Sequence, residues 1–269
     1  MAKKRIVITG GSSGIGESVA SYYVSEGHEV YSLDVKQPKS SEIQYIYCDL
    51  AQTESINNAL KDIPDSINTL LNIAGVPGIL PPETILAVNT FGLINLTNKL
   101  SRRIEDGGCI TSVASIAGFN WARNLVIIKE LIESQDYEIA KSIFGTETIT
   151  GDQAYSLSKE CVVVYMMVMS GQLLSRNIRC NSVSPGPVST PLLPKFKAQT
   201  SEGQIDWLIS EVGRAADPKE IANMIVFLSS EAASYINGRD FIVDGGLSAG
   251  LAMGWIDKKA SPLYKASRK

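Results

Sequence analysis

Thr9-Gly10-Gly11-Ser12-Ser13-Gly14-Ile15-Gly16 follows the β-rich run Arg5–Thr9 and opens a helical pattern. Glycines between a strand and a helix permit a tight turn, and the N–H groups at the head of the helix then face any anion lying over it, typically a pyrophosphate. Gly10, Gly14 and Gly16 do not have the GxGxxG spacing, so a purely structural turn competes with a dinucleotide cradle until the context is read. Asp34 supplies that context. It closes the next strand run, Tyr31-Ser32-Leu33-Asp34, about 20 residues further on, where a carboxylate binds adenosine ribose hydroxyls. A 2′-phosphate there would meet a negative charge, and neither Ser12 nor Ser13 offsets it; Lys36 is the one nearby cation. The expected cofactor is NAD(H) rather than NADP(H). Asp49, after the third strand, either accepts from the adenine amino group or caps a helix.

The alternation of short β-rich runs with helical patterns continues along the chain. The runs are Arg5–Thr9, Val30–Asp34, Gln44–Cys48, Thr69–Ile73, Gly108–Val113, Ile178–Val183 and Asp240–Val243, and they predict a doubly wound, seven-stranded parallel sheet. With no repeat or Pro/Ser-rich linker, one α/β domain over 1–269 is the economical organisation. The stretch 118–152 is too long for a plain loop and carries Leu125, Ile128, Ile132, Ile139 and Ile143 at helical spacing, which predicts a helical insertion. Leu192, Leu193, Phe196, Trp207 and Leu208, set among polar residues in 191–212, predict a lid with an apolar underside.

Composition excludes several functions. The 269 residues are 44% hydrophobic, and 25 Lys and Arg stand against 28 Asp and Glu for a net charge of −3, so no basic footprint for nucleic acid or an anionic membrane exists. The longest apolar runs, such as 161–169, fall short of the ~20 residues of a membrane span. Met1-Ala-Lys-Lys-Arg leads into too short an apolar stretch for a signal peptide, so a cytoplasmic location is expected. Cys48, Cys109, Cys161 and Cys180 have no metal or disulfide spacing and are expected as small buried residues. The one histidine, His28, lies in a turn before a strand and is expected to be a solvated turn residue, which removes triad hydrolysis and multi-histidine metal sites. Acid–base chemistry falls to Tyr, Lys, Asp or Glu.

Two Tyr–Lys pairs have the spacing that puts a phenol and an ammonium on one helix face: Tyr155/Lys159 and Tyr137/Lys141. A cation beside a phenol lowers its pKa and makes it a usable acid for a ketone and base for an alcohol. Tyr155 opens a long apolar helix leading to the strand Ile178–Val183 and Pro185-Gly186, whereas Tyr137 lies in the insertion. Catalysis is therefore assigned to Tyr155 and a surface role to Tyr137.

Taken with Asn72-Ile73-Ala74-Gly75, Val88-Asn89-Thr90-Phe91-Gly92, Ser115-Ile116-Ala117-Gly118, Pro185-Gly186-Pro187-Val188-Ser189-Thr190-Pro191 and Asp244-Gly245-Gly246, these motifs make the chain resemble the short-chain dehydrogenase/reductase family over nearly its full length. The resemblance implies a Rossmann fold in which Ser115 holds the substrate oxygen, Tyr155 exchanges its proton, Lys159 binds the nicotinamide ribose and lowers the Tyr155 pKa, and Asn89 anchors a water of the proton relay. It also implies cofactor contacts from Gly10, Ser12, Ser13, Gly14, Ile15, Gly16, Asp34, Asp49, Leu50, Asn72, Ala74, Gly75, Pro185, Gly186, the Val188 backbone and the Thr190 hydroxyl. Ile73 replaces an Asn common in the family at a sheet-packing position, and the insertion makes the Ser115-to-Tyr155 separation unusually long. A similar insertion, with Thr190-Pro191-Leu192-Leu193, Gly213-Arg214 and Ala232-Ala233-Ser234-Tyr235, is similar to the 3α-hydroxysteroid dehydrogenase/carbonyl reductase subgroup and implies a bulky apolar, steroid-like or alicyclic secondary alcohol or ketone as substrate.

The competing readings are a reductase of acyl-linked or polar 3-oxo compounds and a non-catalytic dinucleotide-sensing module. The complete Asn89, Ser115, Tyr155 and Lys159 set stands against the second. For assembly, the insertion is expected to cover the helices at about 89–103 and 155–175. A homodimer is expected instead through the edge run Asp240–Val243 and the helix at about 218–229, with a capping C-terminal tail and a monomer as the alternative.

Overall fold

The computed structural model describes residues 3–145, 147–266 and 268; Met1 and Ala2 of the N-terminal run and Thr146 of the insertion lie outside the described residues. Seven strands form one sheet: β1 (Arg5–Thr9), β2 (Glu29–Asp34), β3 (Gln44–Tyr47), β4 (Ile67–Asn72), β5 (Ile104–Val113), β6 (Arg179–Pro185) and β7 (Asp240–Val243). All pairs are parallel, and the order is β3-β2-β1-β4-β5-β6-β7. The chain reverses its direction of sheet growth between β1 and β4, the switch point above which ligands bind in open α/β sheets. Parallel strands are covered on both faces, which is why Ile6, Val7 and Ile8 are all fully buried and read as a continuous apolar run.

β5 begins four residues before its sequence expectation. Glu105-Asp106-Gly107-Gly108 hides the strand, and the ladder accommodates it by a register shift between the pairs of Ile67 and Thr69, with Gly107 at φ +82.

Helices α1 (Gly14–Ser25), α2 (Thr53–Ala59), α3 (Pro82–Leu86), α4 (Leu93–Leu100), α5 (Leu125–Ser134), α6 (Tyr137–Phe144), α7 (Gly151–Gln172), α8 (Leu193–Gln199), α9 (Gln204–Glu211), α10 (Pro218–Leu228), α11 (Leu247–Met253) and α12 (Pro262–Ala266) cover the sheet. α7 is the central one. A reciprocal capping box fixes its start, with the Thr150 hydroxyl taking the Gln153 N–H and the Gln153 side chain taking the Thr150 N–H. From there α7 is buried nearly all round, against α3, α5 and β6. α5 and α6 form the expected insertion. α5 buries Ile128, Leu131 and Ile132 on α7, while Leu125 is left exposed.

The expected lid is α8 and α9. An ion pair, Lys197 to Asp206 at 2.5 Å, ties its two helices, and the Leu263 N–H donates to Gln204 Oε1 at 2.9 Å, so the C-terminal segment folds back on α9. All four cysteines are buried. His28 is half-buried rather than solvated, because its Nδ1 accepts the Lys4 N–H that joins the chain ends of β1 and β2. Among the described residues, no helix is long and apolar enough to cross a membrane.

Candidate active site

The glycine turn is closed by contacts that no side chain could replace. A Cβ on Gly16 would sit 2.0 Å from the Gly10 carbonyl oxygen, and Gly10, at φ +75, passes within 2.8 Å of the Ala74 backbone in the same sense. The turn therefore presses against the end of β4, and Thr190 leans onto it from the other side, its methyl 3.0 Å from where a Gly14 Cβ would be. Ser13 stands before α1 with its side chain making no cap bond and its surface exposed, while Ile15 packs inward on the sheet. This cradle fits a dinucleotide: three glycines, the head of a twelve-residue helix, and the tips of β1, β4 and β6 converge on one strip.

Asp34 sits at the tip of β2 beside this strip. Its carboxylate accepts the Ser12 N–H at 3.1 Å and the Lys36 N–H at 3.0 Å, which fixes it half-exposed at the turn, and the Ser12 hydroxyl donates to the Lys36 carbonyl at 2.5 Å. Asp49 does not cap α2, whose N-cap is Gln52; its carboxylate closes the turn before that helix, accepting from the Ala51 N–H and the Gln52 side chain. Leu50 is buried in the core beneath. The Asn72 side chain is buried in the sheet, where Nδ2 donates to Thr97 and Ser112, so the side chain is not free for a nucleotide. Ile73, at the position where Asn is common in the family, packs half-buried in the core and its N–H bonds Thr9, as a sheet-packing position requires.

Beyond β4 the chain runs through Ala74 and Gly75. A Cβ on Gly75 would lie 3.4 Å from both Asn89 Oδ1 and Lys159 Nζ, so these two groups meet across it. Asn89 lies in a π-helical turn, Ala87–Gly92, and is 1% exposed. Its amide is held on both sides, Oδ1 accepting the Val76 N–H at 2.8 Å and Nδ2 donating to the Val76 carbonyl and to Ser158 Oγ. Ser158 in turn donates to the Tyr155 carbonyl. Pro185 and Gly186 end β6, Gly186 donating to the Val243 carbonyl, and Val188 is fixed by a bridge to Ala216.

Tyr155 stands in the first turn of α7 and Ser115 at the tip of β5, where Ser115 Oγ also caps the short turn Ile116–Gly118. The insertion loops out between them, and the Ser115 hydroxyl stands beside the Tyr155 phenol, where it favours the ionised form. Lys159 Nζ lies 5.7 Å from the centre of the Tyr155 ring and donates to the Val113 carbonyl at 3.1 Å.

The expected lowering of the Tyr155 pKa by Lys159 is corrected by the structure. Burial dominates and raises the phenol to about 12, with the Ser115 hydroxyl pulling the other way, while burial lowers Lys159 itself to about 8. The competing pair shows what the fold adds. Lys141 Nζ lies 6.0 Å from the Tyr137 ring, nearly the same local geometry, but Lys141 is paired with Glu138 at 2.6 Å and its pKa is raised. Burial and the neighbouring Glu83 carboxylate of α3 raise the Tyr137 phenol instead.

Sequence reasoning missed Ser158 and the Val76 and Val113 backbones, and it placed Phe196 on the underside of the lid without its contact to Tyr155. Phe196 stands edge-on to Tyr155, ring centres 5.4 Å apart. It could have been flagged as the single aromatic of the first half of the lid; the backbone partners leave no trace in side-chain identity. Among the described residues no group of three or more His, Cys, Asp or Glu converges as a metal site. Chemically, the cleft offers a buried acid, a hydroxyl beside it and a cation beneath, at the end of a dinucleotide cradle.

Two family models match the chain: one described as short chain dehydrogenase over residues 4–127, and one described as enoyl-(acyl carrier protein) reductase over residues 138–248. A coniferyl-alcohol dehydrogenase of a Pseudomonas species is 33% identical over 93% of this chain and 98% of its own. The 3-alpha-hydroxysteroid dehydrogenase/carbonyl reductase of Comamonas testosteroni is 27% identical, covering 91% and 96%. Among solved structures, the 3-alpha-hydroxysteroid dehydrogenase of Pseudomonas sp. B-0831, complexed with NADH, matches with a TM-score of 0.77 at 30% identity over 91% of this chain and 97% of that one.

Proposed function

The chain belongs to the short-chain dehydrogenase family, an oxidoreductase acting on alcohols with a nicotinamide dinucleotide, and from that premise we propose that it interconverts a bulky, apolar, steroid-like or alicyclic secondary alcohol and its ketone with NAD(H), Tyr155 being the general acid and base. The observation that carries this reading is the convergence of Tyr155, Ser115 and Lys159 in a buried cleft beside the glycine cradle, with Phe196 of the lid against Tyr155. When bound, the dinucleotide supplies hydride to the carbonyl carbon or accepts it from the carbinol carbon.

The protein's own residues handle the oxygen. Ser115 donates to the substrate oxygen and holds it beside Tyr155, and Tyr155 gives that oxygen its proton in reduction or takes it in oxidation. Lys159 stands on the Gly75 and Asn89 side, where a ribose would lie, and its cation favours charge developing on the phenol. Asn89, clamped by Val76, keeps that side of the cleft in shape. The cradle is assigned to Gly10, Ser12, Ser13, Gly14, Ile15 and Gly16; the Asn72 backbone, Ala74, Gly75, Pro185, Gly186, Val188 and Thr190 line the nicotinamide end, and Asp49 and Leu50 the adenine end.

An acyl-linked substrate is the second reading, and the enoyl-(acyl carrier protein) reductase description of residues 138–248 is the observation on its side. NADH oxidation against a panel of alicyclic, steroid-like and acyl-linked ketones tests both. Turnover confined to acyl-linked compounds would overturn the apolar-alcohol reading.

Cofactor choice rests on Asp34. Its carboxylate faces the turn at fixed distance and leaves no room for a second negative charge. NAD(H) is expected to give the higher kcat/KM, and Asp34→Ala to narrow the NAD(H)/NADP(H) ratio by ~10-fold or more, as loss of one charged hydrogen-bonding partner implies. Steady-state kinetics with both cofactors checks this; an unchanged ratio would move the discrimination to Lys36.

The assembly proposed is a homodimer through β7, and the expected site of the protein is the cytoplasm. Phe241 and Val243 are packed half-buried on the sheet, but Ile242 is 44% exposed on the edge strand, beside a cavity of about 340 Å³ lined by Phe119, Trp121 and Met167. An apolar edge of this kind is a pairing surface. Light scattering of wild type and Ile242→Lys is expected to show a dimer and a monomer respectively; a monomeric wild type would end the proposal.

A further inference from the structure

An aromatic contact ties the lid to the catalytic tyrosine. α8 exposes Pro194, Lys195, Lys197 and Ala198 and turns Phe196 inward, where its ring meets Tyr155 edge-on at 5.4 Å. Tyr155 is 9% exposed with this ring in place, too little for a bulky substrate to bring its oxygen to the phenol. The other ties of α8 are weak. Its link to α9 is the Lys197–Asp206 pair, with both side chains substantially exposed, and such pairs hold little. A short, solvent-facing helix with few buried apolar contacts belongs to the elements that open first.

We propose that Phe196 is the gate of this site and its ring-recognising wall: it swings off Tyr155 when substrate enters and packs instead against a ring of the substrate, so that ring-bearing ketones are selected over open-chain ones. The selection follows from what is exchanged. A ring entering the cleft replaces the contact that Phe196 loses on Tyr155 with an equivalent one, whereas an open-chain polar ketone leaves Phe196 displaced and unmatched. The root of the lid, Pro191, adjoins Thr190, whose methyl abuts Gly14, so the gate is built on the same segment that borders the nucleotide cradle. Phe196 acts here as a specificity-determining and positioning residue; the proposal rests on the alcohol–ketone reading above.

The test compares wild type, Phe196→Ala and Phe196→Tyr on a matched pair, a cyclohexyl ketone and an open-chain ketone of equal carbon count, with NADH. Phe196→Ala is expected to lower kcat/KM for the cyclic ketone about 10-fold, mostly through KM, and to change the open-chain value less than about 3-fold, the size of one lost aromatic contact. Phe196→Tyr keeps the ring and is expected to restore the preference. An equal fall on both ketones, or none on either, overturns the proposal. A second readout needs no turnover: acetylation of Tyr155 by N-acetylimidazole, located by peptide mass spectrometry, is expected to rise several-fold in Phe196→Ala. Unchanged protection of Tyr155 overturns the gate even if wild type reduces neither ketone, an outcome that by itself would count against the proposed function.

Discussion

Replacing Tyr155 by Phe is expected to lower kcat by at least ~10²-fold while the dissociation constant of NADH changes less than ~3-fold. The ring of the variant still packs against Phe196, and the cradle of Gly10, Gly14 and Gly16 is untouched, so only the hydroxyl with its transferable proton is lost. The pH profile of the wild type carries the same signature. With the phenol raised to about 12, the proton donor is present throughout the neutral range, and alcohol oxidation, which needs the phenolate, is expected to climb with pH. Tyr137→Phe is the control. That phenol, in the insertion, stands near Glu83 of α3, and its loss is expected to leave kcat within about 3-fold. Stopped-flow and steady-state measurements on both variants decide the assignment; near-normal turnover of Tyr155→Phe would sink it.

Much of this was legible because the deciding signals are local. The glycine turn, the Asp34 that closes β2 and the Tyr155/Lys159 helix face each lie within a few residues, and a strand, a turn and a helix are read at that range. Even there the register was imperfect: Glu105-Asp106-Gly107-Gly108 reads as a loop but lies inside β5 as the irregularity between the paired Ile104 and Cys109. The Tyr137/Lys141 pair marks the limit. Its spacing and even its ring-to-cation distance match Tyr155/Lys159, and it is the Glu138 partner of Lys141, against the burial of Lys159 in α7, that separates a raised lysine from a lowered one. Phe196 on Tyr155, Val76 on Asn89 and Gln204 on Leu263 join segments far apart in sequence, and no periodicity reports such contacts. The same reasoning explains why the Lys159 effect on Tyr155 was misjudged: a spacing rule counts charges, but it does not count the water removed from both groups.

That removal makes Lys159 the residue with the clearest conflict between activity and stability. Lys159→Met is expected to abolish most turnover, by ~10²-fold or more, and to stabilise the fold at pH 7. In the folded chain Lys159 is 5% exposed and its pKa falls from 10.5 to about 8, so below about pH 8 both folded and unfolded chains carry the proton and the fold bears the full cost of burying it. Between about 8 and 10.5 the unfolded chain binds the proton and the folded one does not; stability from this group therefore rises with pH across that window and the cost is gone above it. The shift corresponds to on the order of 3 kcal/mol, from which about 1 kcal/mol is deducted for the bond to the Val113 carbonyl that the methionine cannot make. Urea unfolding is expected to show the variant more stable by about 2 kcal/mol at pH 7, with the advantage shrinking to under about 1 kcal/mol at pH 10. A methionine variant less stable than wild type by the same amount at both pH values would show that Lys159 is held as a structural hydrogen-bond donor. A gain that fades with rising pH, together with lost turnover, would show a buried cation retained at the expense of stability because the chemistry at Tyr155 needs it.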